Sequence, residues 1–170
     1  MARVKFESDD RLPALAGRLL FVLADYAFNF VPRPDAIHGI GEVNVTSFLI
    51  GTLQLEVNID RNLCLFPWGY CPTQSWTLCE LHPPEGKAGG LRYCADAPLH
   101  QGVSVGLPTC NVMSYDRTTG WFCAGEPEAS GDIQCVEFAS DCCAVICNGS
   151  LVALWLRPTN RLELKEALSG

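Results

Sequence analysis

Charge is scarce in this chain, and positive charge scarcest of all. Only 18% of the 170 residues are charged, the 12 Lys and Arg never form a block longer than two, and the formal net charge is −7. A nucleic-acid binder needs a basic face to neutralise phosphates, so no nucleic-acid partner is expected. Equally absent are a CxxC pair, a glycine-rich phosphate loop and an HExxH helix. The familiar zinc, nucleotide and metalloprotease signatures are therefore all missing. No charge-free apolar run reaches membrane-spanning length. Residues 12–31 come nearest, but Arg18 and Asp25 lie inside, each costing about 2.5–3.5 kcal/mol at mid-bilayer. As a signal peptide the same stretch fails, because Glu7-Ser8-Asp9-Asp10 is acidic where a basic flank is required. No membrane association and a cytoplasmic location are the expectations.

What the chain does have is apolar residues, at 48%, and ten cysteines. That much apolar side chain rules against disorder, and the length suits a single domain over residues 1–170. Asn44-Val-Thr46 and Asn148-Gly-Ser150 match glycosylation acceptors, and an even cysteine count fits disulfides. Against this, a chain of this size needs no staples, and most cysteines sit in apolar runs such as Cys142-Cys143-Ala144-Val145-Ile146-Cys147. Buried, reduced thiols behaving as small hydrophobes are expected.

Asp9 and Asp10 can cap a helix, Pro13 is tolerable in its first turn, and Pro32 and Pro34 end it. A helix from Leu12 to Phe30 would carry one narrow stripe (Arg11, Ala14, Arg18, Val22, Asp25, Asn29) and be apolar elsewhere. It would have to be buried on two sides, inside a wrapping sheet or in a homodimer. After the Ala36–Gly41 loop the period changes to two. Residues 43–57 place Leu53, Leu55 and Val57 on one face, and further strands are expected near 63–66, 74–81, 91–95, 110–115 and 120–124. The segments 82–90 and 125–131 are turn-rich. The fold class is thus α+β, mainly antiparallel β: a meander or partly closed barrel with one long N-terminal helix packed on it. A short C-terminal helix, capped by Asn160 with Glu163 three residues on, closes the chain.

Asn148-Gly149 between apolar runs is a type I′ hairpin turn, pairing Cys147 with Ser150, Val145 with Val152, Ala144 with Ala153 and Cys142 with Trp155. A second hairpin across Ser140-Asp141 would pair Glu137 with Ala144 and Phe138 with Cys143. Together they put Glu137, Ala144 and Ala153 on one face with Cys135, Cys142, Ile146, Leu151 and Trp155, and Arg157 follows. The alanines would leave room beside a carboxylate walled by Trp155, so Glu137, Ala144, Ala153, Trp155 and Arg157 are the candidate ligand-binding residues.

No catalytic residue can be named: ten Cys and three His give many accidental pairs, and Cys79-Glu-Leu-His82 has no second pair to complete a zinc site. No metal or cofactor is expected. The aromatic stretch Phe66–Pro72, with Trp68, Trp76, Trp121, Tyr70, Tyr93 and Tyr115, fits either a ligand mouth or rings packed on a sheet. Three functions remain. The first is a non-enzymatic interaction protein, working through a homo-oligomer or a partner protein, because the apolar helix needs a second layer. The alternative is a small-molecule binding domain with its pocket near Glu137 and Trp155. The third is an enzyme without a recognisable motif.

Overall fold

The computed structural model describes residues 2–37 and 44–169. In chain order its strands are β1 (Val4–Asp9), β2 (Gly17–Val22), β3 (Ala27–Pro32), β4 (Val45–Ile50), β5 (Leu53–Asn58), β6 (Leu63–Tyr70), β7 (Trp76–Leu78) and β8 (Lys87–Ala88). There follow β9 (Gly90–Ala95), β10 (Val105–Gly106), β11 (Met113–Tyr115), β12 (Phe122–Gly125), β13 (Ile133–Ala139), β14 (Cys142–Cys147) and β15 (Ser150–Leu156). The first sheet runs β1-β9-β6-β5-β4-β10, with the β2–β3 hairpin joined to it through β6; the second runs β7-β11-β12-β15-β14-β13-β8. Residues from both sheets share one buried cluster, including Phe48, Leu55 and Leu91 from the first and Phe122, Ala144 and Leu154 from the second. Two sheets packed on a common core, rather than a meander or barrel, describe these residues. Three edge pairings are parallel: β4 with β10, β7 with β11, and β8 with β13.

The expected helix from Leu12 to Phe30 is not there; the segment is the β2–β3 hairpin. Leu19, Phe21, Phe28 and Phe30 point inward and are buried, while Arg18, Asn29 and Val31 point out. The aromatic and β-branched residues alternate with period two, and that pattern prevails over the helical one because each inward ring finds a partner. Phe21 lies 5.0 Å from both Phe28 and Trp76, centroid to centroid, and Phe28 lies 5.0 Å from Phe122. The connection is a short 3-10 turn, Leu23–Asp25, closed by Tyr26 at φ 50°.

The outer edge of β2 is met by the chain leaving β15. Asn160 accepts from the Phe21 N–H at 3.0 Å and donates to the Phe21 carbonyl at 2.7 Å; the Thr159 N–H donates to the Leu19 carbonyl at 2.9 Å. The C-terminal helix, Arg161–Ala167, forms as expected with Asn160 at its N-cap position, but that side chain caps nothing, since β2 has claimed it. At the end of β1, Asp9 is buried and held by Arg11 Nε at 2.9 Å and Arg92 Nε at 2.7 Å, a charge-assisted clasp between β1 and β9.

Candidate functional site

The second sheet has an outer face that the shared core does not use. Cys123 (β12), Trp155 and Ala153 (β15) and Val145 (β14) are buried there with Leu81, and Trp121, Ile133, Cys135, Cys143 and Val152 pack around them. Leu81 belongs to no strand. It sits in residues 79–86, which join β7 to β8, the two opposite edges of the sheet. This segment, read from sequence partly as strand and partly as turn, is a strap across the whole outer face. Six inter-strand spacings separate those edges, about 29 Å at about 4.8 Å each. The nine steps from Leu78 to Lys87 reach about 30–32 Å when extended. The strap is therefore nearly taut, and Pro83-Pro84 suits it because proline presets extended backbone. Its anchors follow the crossing: the Cys79 N–H donates to the Tyr115 carbonyl at 3.1 Å, the Leu81 N–H to Asp116 Oδ2 at 3.0 Å, and the Cys135 thiol to the Pro84 carbonyl at 3.8 Å.

Between the strap and the β12–β13 loop lies a cleft of about 350 Å³. Leu81, Ala129, Ile133, Val145 and Trp155 form its apolar floor and walls; Glu80, His82, Glu126 and Glu128 form its exposed rim, and among the described residues neither Lys nor Arg lines it. His82 Nε2 is 3.1 Å from Glu80 Oε1. Beneath the floor, burial and then the Glu126 charge push the Cys123 thiol up to about 12, so it stays protonated.

The expected site is partly assembled and partly dispersed. The Asn148-Gly149 turn is as read, with both residues at positive φ and Cys147 opposite Ser150. One residue later a bulge at Val152 shifts the register, so Val145 meets Ala153, Ala144 meets Leu154 and Cys142 meets Leu156. A second bulge at Phe138 pairs Glu137 with Cys143, not with Ala144. Each slip turns side chains over. Glu137, Cys143 and Trp155 consequently form the row on the outer face, with Ala153 one row along, whereas Ala144, Cys142, Ile146 and Leu151 face the shared core. Glu137 is half-buried outside the rim of the cleft, and Arg157 lies 5.3 Å over the Trp121 ring. The residues sequence reasoning missed are Leu81, Glu80, Glu126 and Glu128. The only signal was an acidic Gly125–Gly131 loop.

The aromatic groove does not form as a groove. Trp76 and Tyr115 are in the shared core, Tyr93 packs on Phe48, and Phe66–Tyr70 continue β6. The cysteines divide: Cys64, Cys71, Cys123 and Cys142 are buried, Cys135, Cys143 and Cys147 half-buried, and Cys79, Cys94 and Cys110 exposed, all as free thiols. Among the described residues no three His, Cys, Asp or Glu side chains are grouped to hold a metal ion, and no helix is long and apolar enough to cross a membrane. His38 and Gly39–Gly41 lie outside the described residues. A second cavity of about 390 Å³, lined by Leu12, Leu15, Leu65 and Phe138, opens beside Ala36. No protein-family model matches the chain and no curated protein is similar to it, so the chemistry of the cleft is argued from its own side chains.

Proposed function

We propose that this chain is a non-enzymatic small-molecule binding domain whose ligand is an organic cation with an apolar body. One observation carries the reading: the cleft under the strap sets three carboxylates, Glu80, Glu126 and Glu128, around a floor of Leu81, Ile133, Val145 and Trp155, with no lysine or arginine in its lining among the described residues. An ammonium or guanidinium group would meet the rim while an alkyl or aryl body displaces water from the floor. The net charge of −7 draws cations toward the surface and repels anions. The interaction-protein reading has lost the feature behind it, because the residues assigned to a two-sided apolar helix fill this chain's own core as a hairpin.

The test is thermal denaturation of the full chain with hexyltrimethylammonium, tetramethylammonium and hexanoate. At a hundredfold excess over Kd, hexyltrimethylammonium is expected to raise Tm by about 5–10 °C. The headgroup alone and the carboxylate should do far less. Glu126→Gln with Glu128→Gln should abolish the shift, as should Ile133→Trp, which fills the cleft. Equal stabilisation by hexanoate, or no shift with any of the three, would reject the reading.

A further inference from the structure

Two cysteines are neighbours on the same outer face, packed around its apolar cluster but outside the cleft. Cys135 is in register with Val145, and Cys143 with Glu137, so the two are diagonal neighbours across β13 and β14. Both are half-buried. Cys135 also borders a cleft of about 490 Å³ beside β8, lined by Ser8, Asp10, Glu85 and Lys87, which gives a small solute access. The strap passes close above: a Cβ on Gly86 would lie 3.0 Å from the Cys135 sulfur.

We propose that Cys135 and Cys143 form an oxidisable dithiol, a modification site at which a hydroperoxide oxidises Cys135 and Cys143 closes a reversible disulfide. The Cys135 thiolate attacks the peroxide; an S–O bond forms, the O–O bond breaks, and the departing oxygen takes a proton and leaves as water or an alcohol. The Cys143 sulfur then attacks the resulting sulfenic acid. An S–S bond forms, the S–O bond breaks, and the hydroxide leaves as water with the Cys143 proton. Two electrons pass from the dithiol to one peroxide.

The pair suits these unequal roles. A hydrogen bond from the Cys143 thiol lowers the Cys135 pKa below the ordinary thiol range, while the same bond and burial raise that of Cys143. Burial and then the nearby Glu137 charge oppose a Cys135 thiolate, and the Pro84 carbonyl, at 3.8 Å, adds to them weakly. Diagonal strand neighbours stand about 7–8 Å apart, more than the about 5.5–6 Å of a relaxed disulfide, so closing the bond must draw β13 and β14 together locally, and the product is strained and readily reduced. That is the property of regulatory rather than structural disulfides. By contrast, burial raises the pKa of Cys64, Cys71, Cys123 and Cys142, leaving those thiols inert.

The experiment uses the full chain carrying Cys79→Ser, Cys94→Ser and Cys110→Ser, which removes the exposed thiols. It is treated with one equivalent of hydrogen peroxide at pH 7, alkylated, and cut before aspartate. Asp132 and Asp141 then isolate Cys135 from Cys142, Cys143 and Cys147. The expected result is those two peptides joined, with fragmentation mapping the bond to Cys143 and dithiothreitol undoing it. Adding Cys143→Ala should leave Cys135 trappable by dimedone and, with the hydrogen-bond donor gone, slow its alkylation roughly threefold or more. Unlinked peptides, or a bond to Cys142 or Cys147, would overturn the proposal. Should the Cys143→Ala chain not fold, the linkage map alone decides.

Discussion

Shortening the strap should hurt far more than lengthening it. Deleting Pro83 and Pro84 leaves seven steps between Leu78 and Lys87, a reach of about 23–25 Å against the about 29 Å to be crossed. A shortfall of about 4–6 Å cannot be absorbed by a chain already extended, so an end must detach. The weakest hold is β8, paired over only two residues, and the strap would lift with it. Lifting Leu81 exposes a side chain worth about 1.5–3 kcal/mol and breaks its N–H bond to the Asp116 carboxylate, worth about 1.5–3 kcal/mol. A loss of about 3–6 kcal/mol is a large part of the about 5–15 kcal/mol that holds a typical domain together. Inserting Gly-Gly after Pro84 adds slack and should cost only a few tenths of a kcal/mol in closure entropy. Urea unfolding of both variants, with Pro83→Ala/Pro84→Ala as a control for composition at constant length, measures the asymmetry through the midpoint. Equal tolerance of deletion and insertion would refute a taut strap.

Gly125→Ala should destabilise by about 3 kcal/mol or more in the same assay, since Gly125 has φ +122° and a Cβ there would collide with the Val152 carbonyl oxygen. The β2 alternation predicts that Phe21→Glu unfolds the chain whereas Leu20→Glu, on the half-buried outward face, stays folded by circular dichroism. Hydrogen bonds from Arg11 and then Arg92 hold the Asp9 carboxyl well below the usual carboxylate range. Its stabilising contribution is therefore complete above the unfolded-state pKa of about 4 and is lost as pH falls through the lower, folded value. The urea midpoint of the parent should accordingly drop more steeply below pH 4 than that of Asp9→Asn.

The parts legible in the sequence are those in which local chemistry decides. Asn148-Gly149 specifies its turn whatever surrounds it, and Leu53, Leu55 and Val57 are buried on one face as their alternation requires. The N-terminal hairpin was masked by abundance: with apolar residues on every side, a helical and a two-residue period both fit, and only the ring contacts of Phe21 and Phe28 with Trp76 select the strand. In the site, Trp155 and Ala153 were placed on the right face, but Ala144 was not, because nothing in the sequence announces a bulge at Val152 or Phe138. The strap was illegible for a deeper reason. Its course depends on which strands become the edges, and β7 and β8 are separated by strands that all come later in the chain.

The pairing of Asn160 with Phe21 matters beyond this molecule's own stability. A strand such as β2, bonded on one side only, offers its other side to any extended chain that arrives, including a second copy of itself. The Asn160 amide presents a donor and an acceptor in the arrangement a neighbouring peptide unit would use, and Thr159 occupies the next position along. These two residues stand in for a ninth strand of the first sheet that is never built. What they guard against is polymerisation: Asn160→Ala would free the Phe21 N–H and carbonyl, Thr159→Pro would remove the N–H that meets the Leu19 carbonyl, and a chain with both changes should at high concentration grow into fibrils where the parent remains dispersed.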